Sequence, residues 1–155
     1  MKSLLAALAL TTAITIPAGA QARSVTLMAD MANYGGRGAY LAVYLTDPSG
    51  HLAQTLWVAG GKSKYFRHLS DWASLSGGRA RLDGISGASV GRGGSLVVIA
   101  DIADAMIDAG YMLHIDAAVE DMRDAPSEIA VPLTSDGRGA SASGRTYIAN
   151  FRYNF

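Results

Sequence analysis

The sequence predicts a mainly β protein, built as a single antiparallel β-sandwich with one short helix. Short runs of alternating apolar and polar residues recur along the chain, and turn-forming residues separate them at near-regular spacing. The 155 residues have room for one domain, and a hydrophobic share of 50% is enough to build a core. No internal repeat and no linker divides the chain, so one folded unit is expected.

Three strands are predicted in the first half of the chain, at residues 24–31, 39–46 and 52–59. The last two flank a turn in which Pro48 takes a favoured position, so they are expected to pair as a hairpin. Both faces of this hairpin are apolar, which predicts that other parts of the chain cover it on both sides.

One short helix is predicted at residues 65–75. Its apolar residues recur at intervals of three: Phe66, Leu69, Trp72 and Leu75. This spacing places them along one face of a helix, and Gly77 follows at a position that commonly ends one.

The second half of the chain adds four predicted strands, at residues 95–102, 111–119, 128–133 and 146–155. The last strand alternates, and its predicted inward residues are Tyr147, Ala149, Phe151, Tyr153 and Phe155. Many short strands with little helix are typical of immunoglobulin-like sandwiches, which is the arrangement we expect.

The N-terminus has the pattern of a secretory signal peptide. Lys2 supplies a positive charge, residues 4–16 are apolar, and small-residue cleavage patterns end at Ala20 and Ala22. The apolar run is shorter than the about 20 residues that a bilayer span needs. We therefore expect a signal peptide at residues 1–22, a single domain at residues 23–155 and a periplasmic location.

Charge and cysteine content exclude several classes of function. Removal of Lys2 with the signal peptide leaves a net charge near −1, and nucleic-acid binding needs clustered positive charge instead. The chain has no cysteine, which excludes disulfides, thiol catalysis, iron–sulfur ligation and c-type haem attachment.

One segment resembles the flavinylation motif of proteins that carry FMN covalently. It reads Asp83-Gly84-Ile85-Ser86-Gly87-Ala88-Ser89. The motif consists of Asp, two variable residues, Ser or Thr, Gly, Ala, and a final Ser or Thr whose hydroxyl receives FMN from FAD. Each fixed position is matched, so the resemblance implies a phosphoester-linked FMN on Ser89, attached by an FAD:protein FMN transferase.

The residue types in this segment suit such a reaction. Ser89 has the hydroxyl that a phosphoester requires, while Gly87 and Ala88 present little bulk to an approaching enzyme. Gly84 gives freedom to turn, and Asp83 is implied by the resemblance to serve in recognition by the transferase or in orienting a metal. The alternative is an ordinary turn, because Asp-Gly and Ser-Gly pairs are common in turns.

The wider chain is similar to the predicted periplasmic family DUF2271. The resemblance rests on residues 40–44, 56–64, 68–72 and 117–121. That family is associated with flavin-based electron transfer outside the cytoplasm, often beside membrane proteins with PepSY domains. The resemblance implies a membrane redox partner for this chain but no catalytic residues.

A basic loop and its aromatic neighbours form a second candidate site. Lys62, Lys64 and Arg67 could flank the phosphate, and nearby rings could cover a flavin: Tyr65, Phe66 and Trp72. The alternative is a solvated loop followed by core aromatic residues.

Two His and Asp pairs are weaker candidates for metal binding. His68 and Asp71 lie three residues apart in the predicted helix, and His114 and Asp116 share one face of a strand. Surface or structural roles are favoured for both pairs. Acidic residues at positions 116–124 are expected to form a solvated strand end.

Two functions remain open on these observations. One is a covalent flavoprotein that carries electrons between proteins and has no substrate of its own. The other is a non-redox binding or accessory module for a membrane partner, which would not need Ser89.

We predict that the exported chain begins at Arg23 or Gln21, because each follows a small-residue cleavage pattern. N-terminal sequencing of protein recovered from the periplasm measures this directly. A mature chain that still begins near Met1 would contradict cleavage and the soluble form.

Overall fold

The computed structural model describes residues 20–155, and these residues form two β-sheets packed face to face. In chain order the strands are β1 (Ala22–Met31), β2 (Tyr40–Thr46), β3 (Leu52–Ala59), β4 (Ser86–Gly87), β5 (Ser95–Ala103), β6 (Met112–Ala118), β7 (Ala125–Pro132) and β8 (Ile148–Asn154). One sheet has the order β5-β1-β8, and the other has the order β4-β3-β2-β6-β7. The predicted sandwich is confirmed, with one short parallel pairing, β3 with β4, that the pattern did not indicate.

The space between the sheets is filled by alternate residues of the central strands. Those of β1, β2 and β6 include Val25, Leu27, Leu41, Val43, Leu113 and Ile115, all fully or almost fully buried. Because side chains of a strand alternate between faces, the intervening residues of β2 and β6 face the other way. The five-stranded sheet thus has a second apolar face to cover.

The helical segment covers that second face. Leu69 and Trp72 pack there against Ala42, Tyr44 and Val58, and the Trp72 indole Nε1–H donates to Thr55 Oγ1 at 2.9 Å. The predicted cover on both sides of the β2–β3 hairpin is therefore confirmed.

The helix predicted at residues 65–75 is two helices. A 3₁₀ helix runs over Ser63–His68, and α1 (Ser70–Ser76) follows it. Leu69 interrupts them with φ −83° and ψ 69°, and its side chain is fully buried under the helices. Gly77 ends α1 with φ +58°, as predicted.

The prediction that Ala149 points inward is wrong. Ala149 is exposed and Ile148 is buried in its place. The register of β1 with β8 shifts between Asp30 and Met31, which leaves Ala149 as an extra residue in β8. Such a β-bulge reverses the alternation of side chains on one side of it.

The predicted signal peptide lies outside the described residues, except for its last three positions. Within residues 20–155, no helix has the length and apolar character needed to cross a bilayer.

A buried carboxylate joins the helix to the sheet. Asp116 of β6 is fully buried, which corrects the expectation that it belongs to a solvated strand end. Its oxygens accept hydrogen bonds from Tyr44 Oη at 3.0 Å, from the backbone N–H of Trp72 at 2.8 Å and from that of Ser127 at 2.8 Å. Burial raises the pKa of Asp116, although these donors oppose that rise. The Trp72 N–H belongs to the first turn of α1, where no helical partner exists.

We predict that Asp116→Ala lowers the free energy of unfolding by about 3 kcal/mol, because it leaves buried donors on three elements without an acceptor. Urea unfolding followed by circular dichroism measures the loss. The matched control is Asp136→Ala, since Asp136 is exposed, and its effect should stay within about 0.5 kcal/mol. Equal effects of the two substitutions would show that the buried hydrogen bonds contribute nothing.

Candidate functional site

The motif loop, residues 83–89, lies at the β4 edge of the five-stranded sheet. Gly87 is half-buried, and the exposed residues are Asp83, Gly84, Ser86, Ala88 and Ser89. The loop is therefore open to solvent along most of its length.

A tight turn begins the motif loop. The backbone N–H of Ile85 donates to the carbonyl of Leu82 at 3.1 Å, and Gly84 has φ +75°. A positive φ at the third residue of a turn favours glycine. The turn therefore explains why glycine follows Asp83. The exposed Asp83 carboxylate lies at the tip of this turn.

The middle of the motif loop is fastened to β3. The N–H of Val58 donates to the carbonyl of Ile85 at 2.9 Å, and the N–H of Gly60 donates to that of Gly87 at 2.7 Å. A Cβ on Gly87 would lie 2.8 Å from Cζ2 of Trp57. Glycine is therefore needed here for packing against the indole, independently of any enzyme.

The acceptor end of the loop is fastened to the start of β2. Ala39 and Val90 exchange two backbone hydrogen bonds, of 2.7 and 2.9 Å, and Tyr34 Oη donates to the Val90 carbonyl. Ser89 lies over the bare α-carbon of Gly38, where a Cβ would come 2.7 Å from Ser89 Oγ. Ser89 is exposed, and within residues 20–155 its hydroxyl has no hydrogen-bond partner.

A cavity of about 330 Å³ opens at the same end of the sheet. Tyr40 and Tyr65 form an aromatic wall with ring centroids 5.5 Å apart, Arg67 and His68 lie on its rim, and residues 118–122 supply the remaining surface. This volume is in the lower part of the range of small-molecule sites.

Charged side chains lie beside the cavity. Tyr65 Oη donates to Glu120 Oε1 at 2.7 Å, and Arg37 Nε lies 3.4 Å from Glu120 Oε2. The hydrogen bond from Tyr65, together with the positive charges of Arg37, Lys62 and Lys64, lowers the pKa of Glu120 below its usual value. The pairing of Arg37 with Glu120 is not evident from the sequence, because only a tertiary contact brings them together.

The basic loop and the aromatic residues divide between the core and the cavity surface. Trp72 is buried and Phe66 packs against it, which is the core alternative. Tyr65 instead lines the cavity, with Lys64 Nζ 4.8 Å from its ring centroid. The 3₁₀ helix places Arg67 at the same cavity.

The members of the two His and Asp pairs make their hydrogen bonds to other residues. His68 Nδ1 lies 3.2 Å from Asp124 Oδ1, while Asp71 accepts a hydrogen bond from the Ser127 hydroxyl at 2.8 Å. His114 stacks on the ring of Tyr44, whose hydroxyl donates to Asp116 Oδ1 at 3.0 Å. Within residues 20–155, no group of three or more His, Cys, Asp or Glu side chains is arranged to hold a metal ion.

Ser127 lies between a carboxylate and an imidazole. His114 Nδ1 lies 3.4 Å from Ser127 Oγ, but the Ser127 hydroxyl proton is donated to Asp71. Burial lowers the pKa of His114, and its Nε2 contacts Thr46 Oγ1 at 3.0 Å. Among the described residues, no carboxylate hydrogen-bonds to the imidazole to orient it as a general base.

Comparison with known proteins identifies the family and goes no further. The family model described as "Predicted periplasmic protein (DUF2271)" matches residues 22–150, which is most of the chain and contains the motif loop and the cavity. No curated protein matches the chain. No solved structure matches it either. The two sheets, the helices on the outer face and the exposed motif loop are thus features of a chain that belongs to the DUF2271 family of predicted periplasmic proteins.

Proposed function

We propose that this protein is a periplasmic electron carrier with FMN attached covalently to Ser89 Oγ. The observation that carries the proposal is the accessibility of one hydroxyl. Ser89 completes a full match to the flavinylation motif, is exposed, and lies in a loop fastened on both sides. A transferase can reach this hydroxyl without unfolding the domain.

The residues around Ser89 fit an FMN group. Gly38 leaves a space beside Ser89 Oγ that any side chain would fill. The phosphodiester carries one negative charge, and Arg37 precedes Gly38 in the same turn of chain. Lys62 and Lys64 of the basic loop lie near Glu120, as Arg37 does. Positive charge in this region would lower the cost of holding an anion near the surface.

The attachment step exchanges a phosphoanhydride bond of FAD for a phosphoester bond to the protein. Ser89 Oγ attacks the phosphorus of the FMN half of FAD, the anhydride bond to the AMP half breaks, and AMP leaves with the bridging oxygen. The hydroxyl proton passes to a base of the transferase. The chain contributes the hydroxyl and the open backbone of Gly87 and Ala88, while FAD:protein FMN transferase with magnesium supplies catalysis.

The attached flavin would accept electrons and protons from a reduced donor protein and return them to an oxidised acceptor protein. A membrane redox protein, such as one with a PepSY domain, is the proposed partner. The chain's own part is to hold the cofactor at an exposed end of the sandwich, where partners can approach closely.

We predict that Ser89→Ala abolishes covalent flavin and leaves the fold intact, because the hydroxyl has no hydrogen-bond partner to lose. The protein is coexpressed with the transferase in the periplasm, and intact mass and in-gel flavin fluorescence are measured. Ser89→Thr should retain FMN, since it keeps a hydroxyl, and Ser141→Ala, at another exposed serine, should be unaffected. Fluorescence that survives in the Ser89→Ala protein would mean that another residue is the acceptor. A wild-type protein without FMN would favour the non-redox module.

We predict that Gly38→Ala slows flavinylation, because the added methyl group would come within 2.7 Å of Ser89 Oγ and must displace it. The rate of FMN incorporation by purified transferase, FAD and magnesium is compared with that of Gly35→Ala. Gly35 lies in the same turn, but a Cβ there meets nothing within 4 Å, so its rate should match wild type. Equal rates for the two variants would mean that the position of the hydroxyl does not control attachment.

A further inference from the structure

The proposed function assigns no ligand to the cavity beside Tyr40 and Tyr65. We propose that it is the seat of the isoalloxazine ring of the FMN attached to Ser89, an inference that rests on the proposed function. The ring would lie against the tyrosine wall, while the phosphate stays at the exposed loop.

The turn at residues 36–38 connects the cavity directly to the acceptor. A Cβ on Gly36 would meet Met122 Sδ at 2.9 Å and Val119 Cγ1 at 3.2 Å, and both residues line the cavity. The next residue, Arg37, reaches Glu120 on the same wall, and Gly38 lies beneath Ser89. Three consecutive residues therefore span from the cavity to the acceptor oxygen.

The strand register places Ser89 on the cavity side of the sheet. Ala39 pairs antiparallel with Val90, so Tyr40 and Ser89 are the next positions in register. Ala39 is buried between the sheets, and because side chains alternate, Tyr40 and Ser89 face the opposite way. The contact of Ser89 Oγ with Gly38, which shares the face of Tyr40, supports this placement.

Gly60 forms a second connection between the motif loop and the cavity. Its α-carbon abuts the ring of Tyr40 so closely that no side chain fits there, and its N–H donates to the carbonyl of Gly87 in the motif loop. Gly60 therefore contacts both Tyr40 of the aromatic wall and the motif loop. A short sugar-phosphate chain leaving Ser89 has only to cross this point to reach the wall.

The cavity has the chemistry that a flavin ring requires. Aromatic faces prefer offset or edge contacts with other rings, which Tyr40 and Tyr65 offer, and Ala118, Val119 and Met122 add apolar surface. The lining also contains one cation, Arg67, and two carboxylates, Glu120 and Asp121, which together would tune the redox potential of the ring. The cavity is open on its outer side, so a seated ring keeps one edge accessible to partner proteins.

Flavin fluorescence tests this seat, because a tyrosine in contact with isoalloxazine quenches its emission and a phenylalanine does not. Wild type and Tyr40→Phe/Tyr65→Phe are flavinylated by coexpressed transferase, and one FMN per chain is verified by intact mass. Phenylalanine keeps both rings and their packing, and circular dichroism checks the fold. Tyr111→Phe is the matched control, because Tyr111 precedes β6 at the end opposite the cavity.

The native wild-type protein should fluoresce several-fold less than the same protein unfolded in guanidinium. The double variant should recover several-fold in the native state, and Tyr111→Phe should behave as wild type. One FMN per chain with native emission equal to unfolded emission, or with no recovery in the double variant, would overturn the seat and leave the proposed function standing. Absence of covalent FMN from the wild type would overturn both.

Discussion

The arrangement of the five-stranded sheet and its helices depends on satisfying one buried carboxylate, that of Asp116. A charge in a closed core costs several kcal/mol unless hydrogen bonds replace its lost water. The donors here come from Tyr44 of β2, Ser127 of β7 and the first turn of α1. The helix therefore cannot slide along the sheet without exposing unpaired groups. The 3₁₀ helix before α1 is held with it, and this is what brings Tyr65 over the strand ends.

Most of the fold could be predicted, because alternation within a strand is a local property of the sequence. The strands and the apolar outer face of the β2–β3 hairpin follow from it. The failures occur where a distant contact overrides the local pattern. Ala149 points outward because of a bulge against β1, and the helix breaks at Leu69 where Asp116 caps α1. The sequence around Asp116 resembles a solvated strand end, since nothing local indicates its donors.

The candidate site divides in the same way. The exposure of the loop around Ser89 could be predicted, because its small residues are typical of surface loops. The structure adds physical reasons for two of its glycines: Gly84 takes a positive φ, and Gly87 packs on Trp57. The contact between Arg37 and Glu120 could not be predicted, because more than eighty residues separate them and the fold alone brings them together. The sequence predicts that Gly38 lies in a turn, but its contact with Ser89 depends on the fold and could not be predicted.

Backbone hydrogen bonds at Gly60 and Ala39 anchor the motif loop. This anchoring lowers the intrinsic affinity that a nearby cavity needs in order to hold a group attached to the loop. A group tethered to an anchored point encounters adjacent surfaces at an effective concentration on the order of millimolar for short flexible linkers. A shallow site with weak intrinsic affinity is then occupied for much of the time, yet its occupant departs quickly and never diffuses away. A cofactor tethered there would alternate between a bound position in the cavity and an extended position in solvent. The strands that anchor the loop would not have to move.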